Sequence, residues 1–379
     1  MFEATIEFIR ERFGSDGVIP LHEPLFAGNE KRYLNECIDT TFVSSVGQFV
    51  AEFEQRVAAF VGSRHGVAVV NGTQALFVAL KLAGAGPDTE VLTQSLSFVA
   101  TANAISYTGA QPVFLDVEPS TLGLCPQALE TFLEHETCSR DGRTVNRQTG
   151  RPIAACVPMH TLGHPCRIDR IQELCSAHRI PLVEDAAESL GSFYQGRHTG
   201  TFGLMGAFSF NGNKIVTTGG GGMLVTDDEN LARRARHLTT TAKLPHRWEF
   251  VHDELGYNFR LPNLNAALGV AQMEMLPSFL ARKRDLADAY CQFFGAQGGQ
   301  FVSEPAECAS NYWLNALILK DREERDAFLA FSNDRGVMTR SLWQPLHLLP
   351  MYTDSQHDGL EQTLDLYQRV VNLPSSVKP

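Results

Sequence analysis

Lys214 follows the apolar run 207–210 within a short segment of small residues, Ser209-Phe210-Asn211-Gly212-Asn213-Lys214, before Thr217, Thr218 and four glycines, 219 to 222. A lysine there is either a solvated loop residue or an amine altered by burial and poised as a nucleophile toward a carbonyl. The glycines permit close backbone approach, or they only shape a turn. Upstream, Val183-Glu184-Asp185-Ala186-Ala187-Glu188 sets Asp185 at the carboxyl end of an apolar strand, where open α/β sheets bind their ligands. A helix cap or a solvated acid suits that position equally. In Val69-Val70-Asn71-Gly72-Thr73-Gln74-Ala75 an apolar strand turns at a glycine into a helix that opens with a hydroxyl residue. The first amides of a helix have no partner within it and bind anions readily; an ordinary turn capped by Thr73 uses the same residues.

The three pieces are more specific together than apart. A phosphate cradle, a strand-end aspartate and a downstream lysine are the parts that a pyridoxal phosphate enzyme needs. The aspartate keeps the pyridine nitrogen protonated, so the ring accepts electrons from a substrate carbanion. The lysine holds the aldehyde as an imine, is displaced by an incoming amine, and then serves as general base.

These residues need a rigid sheet behind them. Apolar runs at 67–70, 90–92, 112–117, 154–159, 181–183, 207–210 and 223–225 alternate with helix-period segments, including 98–105 and 126–133. Such alternation predicts an α/β fold with a mostly parallel sheet of about seven strands, one or two of them antiparallel. The polar stretch 134–152 reads as a surface hairpin turning at Asp141-Gly142. After Pro277 the periodicity changes: a helix over 280–294, a strand over 313–319 and a helix over 322–331 suggest a smaller α+β domain. We expect a large domain over 1–275 and a small C-terminal domain over 276–379. Phe2, Ile6, Ile9 and Phe13 make the first segment an amphipathic helix of the large domain rather than a signal peptide.

Composition narrows the function classes. The chain has 32 basic and 43 acidic residues, a net charge of −11, and no basic run, which argues against nucleic acid or an anionic membrane surface as partner. No window approaches the ~18 consecutive apolar residues of a spanning helix. The eight cysteines form no regular framework and read as reduced thiols of a cytoplasmic enzyme. Cys156, His160, His164 and Cys166 are metal-ligating types, but their spacing fits no standard zinc site, so no metal is expected.

The stretches VNGTQAL, TQSLSFVATANAI, PVFLDV, PMHTLGHPCRID, VEDAAESLGS, AFSFNGNKIVTTGGGGML and GYNFRLPNLNAALGVAQMEML occur in an order that resembles the DegT/StrS family of nucleotide-sugar aminotransferases. The resemblance runs from about Ile19 to Pro374 and implies fold type I, the aspartate aminotransferase fold. It implies Lys214 as the Schiff-base lysine and Asp185 as partner of the pyridine nitrogen. Phe98 would stack on the ring, while Gly72, Thr73 and Ser209 hold the phosphate. Asn258, in GYNFR, would reach the phosphate of the neighbouring subunit, so a homodimer with shared active sites is implied. Glu188 stands where many members carry Gln or His against the cofactor's ring oxygen, and a glutamate serves there only if protonated or bridged by water. Sugar dehydratases of the family carry histidine in place of the lysine, so Lys214 argues for transamination.

Residues 19–54 are similar to the aminotransferases of the bacillosamine and legionaminic acid pathways, which act on UDP-4-keto-6-deoxy-N-acetylglucosamine. EDAAESLGSFY and TTGGGG are also similar to GDP-perosamine synthases. Ser44, Ser45 and Gly47 would line the sugar pocket or form a plain turn. Arg260 would bind the donor carboxylate or a structural acid. His347, in QPLHLLPMY, would approach substrate or simply pack. The expected function is transfer of an amino group from glutamate to C4 of a 4-keto-6-deoxy nucleotide sugar. A 3-aminotransferase or non-sugar transaminase on the same scaffold is the alternative, and Lys214 argues against a non-catalytic sensor.

Overall fold

The computed structural model describes residues 2–378. Its central sheet runs Gln111–Leu115, Glu90–Gln94, Ile153–Val157, Val183–Asp185, Met205–Ser209, Gly222–Thr226, His65–Val69. Parallel bridges from Cys156 to Leu182 and from Met159 to Asp185 join the two halves of this order. Of the seven strands, Gly222–Thr226 alone runs antiparallel, to both its neighbours. The expected mostly parallel seven-stranded sheet is therefore present.

The strands are short and nearly all buried, which suits a sheet covered on both faces. Leu76, Val78 and Leu80 of the helix Gly72–Leu82 pack with Val67, Val91 and Leu224. Leu129 and Leu133 of Pro126–His135, with Ile171 and Leu174 of Ile168–Ala177, pack with Leu92 and Val113. Val91 and Leu92 are consecutive and so point to opposite faces, which puts the two groups of helices on opposite sides of the sheet. The hairpin forms as expected, Thr137–Arg140 against Arg143–Asn146, with positive φ at both Asp141 and Gly142.

The C-terminal part differs from expectation in two respects. The helix does not begin after Pro277: residues Asn263–Ala296 form one helix of 34 residues with Pro277 inside it. Proline removes a single amide donor, and the buried Leu276 and Phe279 anchor both flanks of the break. The N-terminal helix, Phe2–Phe13, does not pack on the large sheet. Its Ile6, Ile9 and Phe13 bury against Tyr290, Phe294, Leu317 and Phe328. Helical spacing defined its apolar face but not what that face would meet.

A second, antiparallel sheet orders Gln300–Phe301, Asn315–Ile318, Val370–Leu373 and Arg340–Ser341, with Arg322–Asp334 and Glu361–Arg369 as its helices. We propose that the large domain ends within the long helix and that residues 2–13 belong with the small one. No helix among the described residues is long and apolar enough to cross a membrane.

Candidate active site

The carboxyl ends of the central strands open onto a cavity of about 400 Å3. Its lining includes Gly72, Thr73 and Ser209, Asp185 and Glu188, Phe98 and Trp343, and Lys214 and Trp313. Segments far apart in the chain thus meet where the sequence placed its chemistry.

Asn71 caps the helix Gly72–Leu82 by accepting from the Gln74 amide at 2.9 Å. Gly72 and Thr73 follow in the first turn, where the helix offers their amides no partner. A Cβ on Gly72 would stand 2.8 Å from the Cβ of Ser209, so glycine is what allows the helix start to approach the end of Met205–Ser209. Free amides, a hydroxyl and a helix N-terminus meet there, the kind of groups that hold phosphate.

Asp185 is buried. The Thr101 hydroxyl donates to its Oδ2 at 2.7 Å and the Ala187 amide to its Oδ1 at 3.2 Å. Burial raises its carboxyl above the ordinary aspartate value, and these two hydrogen bonds oppose the rise only in part. Neither donor is charged, so a protonated ring nitrogen is the kind of partner that keeps this carboxylate ionised. The Ser97 hydroxyl lies 2.7 Å from that of Thr101 and steadies it.

Lys214 is held by the turn after Met205–Ser209, its amide donating to the Asn211 carbonyl at 3.0 Å. Its Nζ lies 3.2 Å from Glu188 Oε1 and 3.7 Å from the centre of the Trp313 ring. Glu188 is buried, and its other oxygen accepts from the Leu162 amide at 2.9 Å. Burial pushes its carboxyl up to about 7 even though the Lys214 charge opposes this.

Gly72, Thr73, Phe98, Asp185, Glu188, Ser209 and Lys214 therefore converge on one cavity. Ser44, Ser45, Asn258, Arg260 and His347 do not line it. Asn258 and Arg260 are exposed, in backbone that bridges to Thr240 and Val69. Ser44 is exposed and gives its carbonyl to the Asn263 amide, while Gly47 packs against the Asn263 side chain. His347 Nδ1 pairs with the Ser95 hydroxyl at 2.8 Å. Of the four metal-ligating types, His160 and Cys166 are hydrogen-bonded to each other. His160 accepts from the Cys166 amide at 3.2 Å and, through its other nitrogen, donates to the wholly buried Glu184 at 3.0 Å.

Trp313, Trp343 and Thr101 are among the lining residues that escaped the sequence reading. Trp313 and Trp343 come from the C-terminal part, and an aromatic in an apolar run reads simply as core. Thr101 lies one helical turn past Phe98, facing Asp185, and that offset was the available signal.

The donor set fits pyridoxal phosphate: an anion cradle, a buried carboxylate needing a cation, and an amine open on one side. Fold and site together define a pyridoxal phosphate-dependent aminotransferase of fold type I. Residues 25–378 match the DegT/DnrJ/EryC1/StrS aminotransferase family, and the chain belongs to it. It is 36% identical over 359 residues to GDP-perosamine synthase of Escherichia coli O157:H7, covering 94% of this chain and 93% of that one. The aminotransferase TlmJ from Streptoalloteichus hindustanus superposes with a TM-score of 0.85 at 32% identity, over 95% of this chain and 94% of that one. DesI, solved in the presence of its TDP-sugar product, superposes with a TM-score of 0.82 at 27% identity, over 97% of this chain and 91% of that one.

Proposed function

We propose that the protein transfers an amino group from glutamate to C4 of a nucleotide-linked 4-keto-6-deoxy sugar. The convergence of Lys214 and Asp185 on one cavity with a phosphate cradle carries the reading. Pyridoxal phosphate supplies an aldehyde that bonds an amine covalently and a ring that draws electrons from the carbon beside it. Asp185 keeps a proton on the ring nitrogen. Phe98 covers one face of the ring, and Gly72, Thr73 and Ser209 hold its phosphate. Lys214, freed by the incoming amine, takes the proton from the α-carbon of glutamate and delivers it to the cofactor's C4′ carbon. The same lysine moves the proton the other way when the ketosugar is aminated.

Our proposed substrate is UDP-4-keto-6-deoxy-N-acetylglucosamine, supported by the resemblance over residues 19–54. A GDP-linked sugar is the second reading, favoured by the 36% identity to a GDP-perosamine synthase across 94% of the chain. Ser44, Ser45 and His347 are proposed to approach the sugar, and Arg260 the donor carboxylate.

A homodimer with shared sites belongs to this proposal. Asn258 and Arg260 stand outside their own chain's cavity. The stretches 42–46 and 244–255 expose Phe42, Val43, Val46, Trp248, Phe250 and Leu255, an apolar surface that a second copy would cover. Turnover with glutamate across UDP-, GDP- and dTDP-linked 4-keto-6-deoxy sugars and their 3-keto counterparts, with the product amine located by NMR, tests the reaction. Amination at C4 of at least one of them is expected. Amination of 3-keto sugars alone, or of none, would overturn the proposal.

A further inference from the structure

Lys214 is gripped from two sides by groups that belong to one frame. Trp313 presents its ring face to Nζ at 3.7 Å, and its indole N–H donates to the Asn213 carbonyl at 2.7 Å, tying the ring to the residue beside the lysine. The Trp313 amide donates to Asn311 Oδ1 at 2.8 Å, and the Trp313 carbonyl accepts from the buried Lys283 Nζ at 3.1 Å. Asn311 in turn donates through Nδ2 to the backbone carbonyls of Glu188 and Leu190, at 2.8 and 2.9 Å. Glu188 and Trp313 are therefore positioned together, although they come from the large and the small sheet regions. With Oε2 committed to the Leu162 amide, the Glu188 carboxyl has Oε1 for Lys214.

We propose that Trp313 and Glu188 form a two-sided seat for the Lys214 amine whenever it is not bonded to the cofactor, and that Glu188 exchanges a proton with it there. The inference rests on the aminotransferase reading of the site. A lysine amine in water is protonated at neutral pH and cannot accept a further proton. In the seat, an N–H bond of the ammonium breaks and an O–H bond forms at Glu188 Oε1, leaving a neutral amine with its lone pair and a neutral acid. Burial favours that exchange, because a neutral pair avoids the desolvation cost of two buried charges. Burial raises the Glu188 carboxyl to about 7, which brings it closer to the amine as a proton acceptor. Trp313 works in the other direction, its face favouring the cation. Its contact also keeps Nζ in place once the ion pair is gone.

Other titratable groups around the pair do not take over this role. Asp185, across the cavity, is held by Thr101 and Ala187. On the turn that carries Leu162, His160 is paired with Glu184, and burial lowers His164 to about 4. Burial also lowers His22, with the charges of Lys283 and Lys214 adding to the effect, so His22 stays neutral. Lys283 is engaged by the carbonyls of Trp313 and Ser375.

The test uses holoenzyme pretreated with excess glutamate, which frees the Lys214 amine. Acetic anhydride labelling of Lys214, read by peptide mass against pH, should rise in two steps in the wild type. Glu188→Gln should keep the cofactor absorbance and lose the lower step. A single step in the wild type, or a lower step that survives Glu188→Gln, would overturn the exchange. For the seat, Trp313→Leu should slow the glutamate-driven bleaching of the cofactor band about tenfold with cofactor affinity unchanged, and Trp313→Phe should restore most of the rate. Wild-type bleaching in the leucine variant, or equal loss in both, would overturn Trp313's part. A wild-type protein with no band that glutamate bleaches would instead defeat the aminotransferase reading itself.

Discussion

A buried carboxylate is costly unless something charged or strongly polar meets it, and Asp185 meets only a hydroxyl and a backbone amide from its own chain. Its raised proton affinity is thus a property of the protein alone, and in the proposed site a protonated ring nitrogen would restore the ionised form. Replacing the carboxylate should spare binding more than chemistry, since the phosphate cradle and Lys214 remain. We expect Asp185→Asn to bind pyridoxal phosphate within about tenfold of the wild type. Its glutamate half-reaction, followed by stopped-flow absorbance, should slow by roughly 10²-fold or more. A wild-type rate would remove Asp185 from this role. Asp185 and Lys214 were legible in the sequence because one ends an apolar run and the other closely follows one, and both are residues that rarely belong in a core. Trp313 and Asn311 were not legible. They meet the site from about a hundred positions away or more, and neither type signals chemistry by itself.

At the scale of elements, short apolar runs betrayed the central strands, because a strand buried on both faces can hardly be written otherwise. The long helix was harder to read. Pro277 predicts a break, yet packing of Leu276 and Phe279 on either side carries the helix through it. The same helix holds Lys283, wholly buried, with its amine donating to the carbonyls of Trp313 and Ser375 and no carboxylate among its hydrogen-bond partners. Burial lowers this lysine from 10.5 to about 7. Between those two pH values the unfolded chain carries a proton on Lys283 that the folded chain mostly lacks. Stability from this group therefore rises with pH across the window, and it is lowest below pH 7, where the buried amine must be charged. Denaturant unfolding of wild type and Lys283→Met should show the wild type gaining about 2 kcal/mol on the variant between pH 7 and pH 9. Parallel curves would mean that the amine stays protonated in the folded protein.

For the whole molecule, a net charge of −11 raises the question of how so acidic a protein holds phosphorylated ligands. In the proposed site helix-start amides and hydroxyls would answer it for the cofactor, because such groups bind phosphate without a basic surface. The cavity, however, is lined from one chain by Gly72, Thr73 and Ser209, while Asn258 is exposed on the same chain. If a second copy supplies Asn258, each site needs Lys214 from one subunit and Asn258 from the other. Lys214→Ala and Asn258→Ala proteins, each impaired alone, should then complement one another when co-expressed. A mixed dimer contains one site with both residues intact and one with neither. With random pairing half the dimers are mixed, so activity should return to about a quarter of the wild-type value. Full activity of Asn258→Ala alone would show that the residue is dispensable. An impaired variant that gains nothing from Lys214→Ala would mean that Asn258 acts within its own subunit, and the shared-site dimer would fall with it.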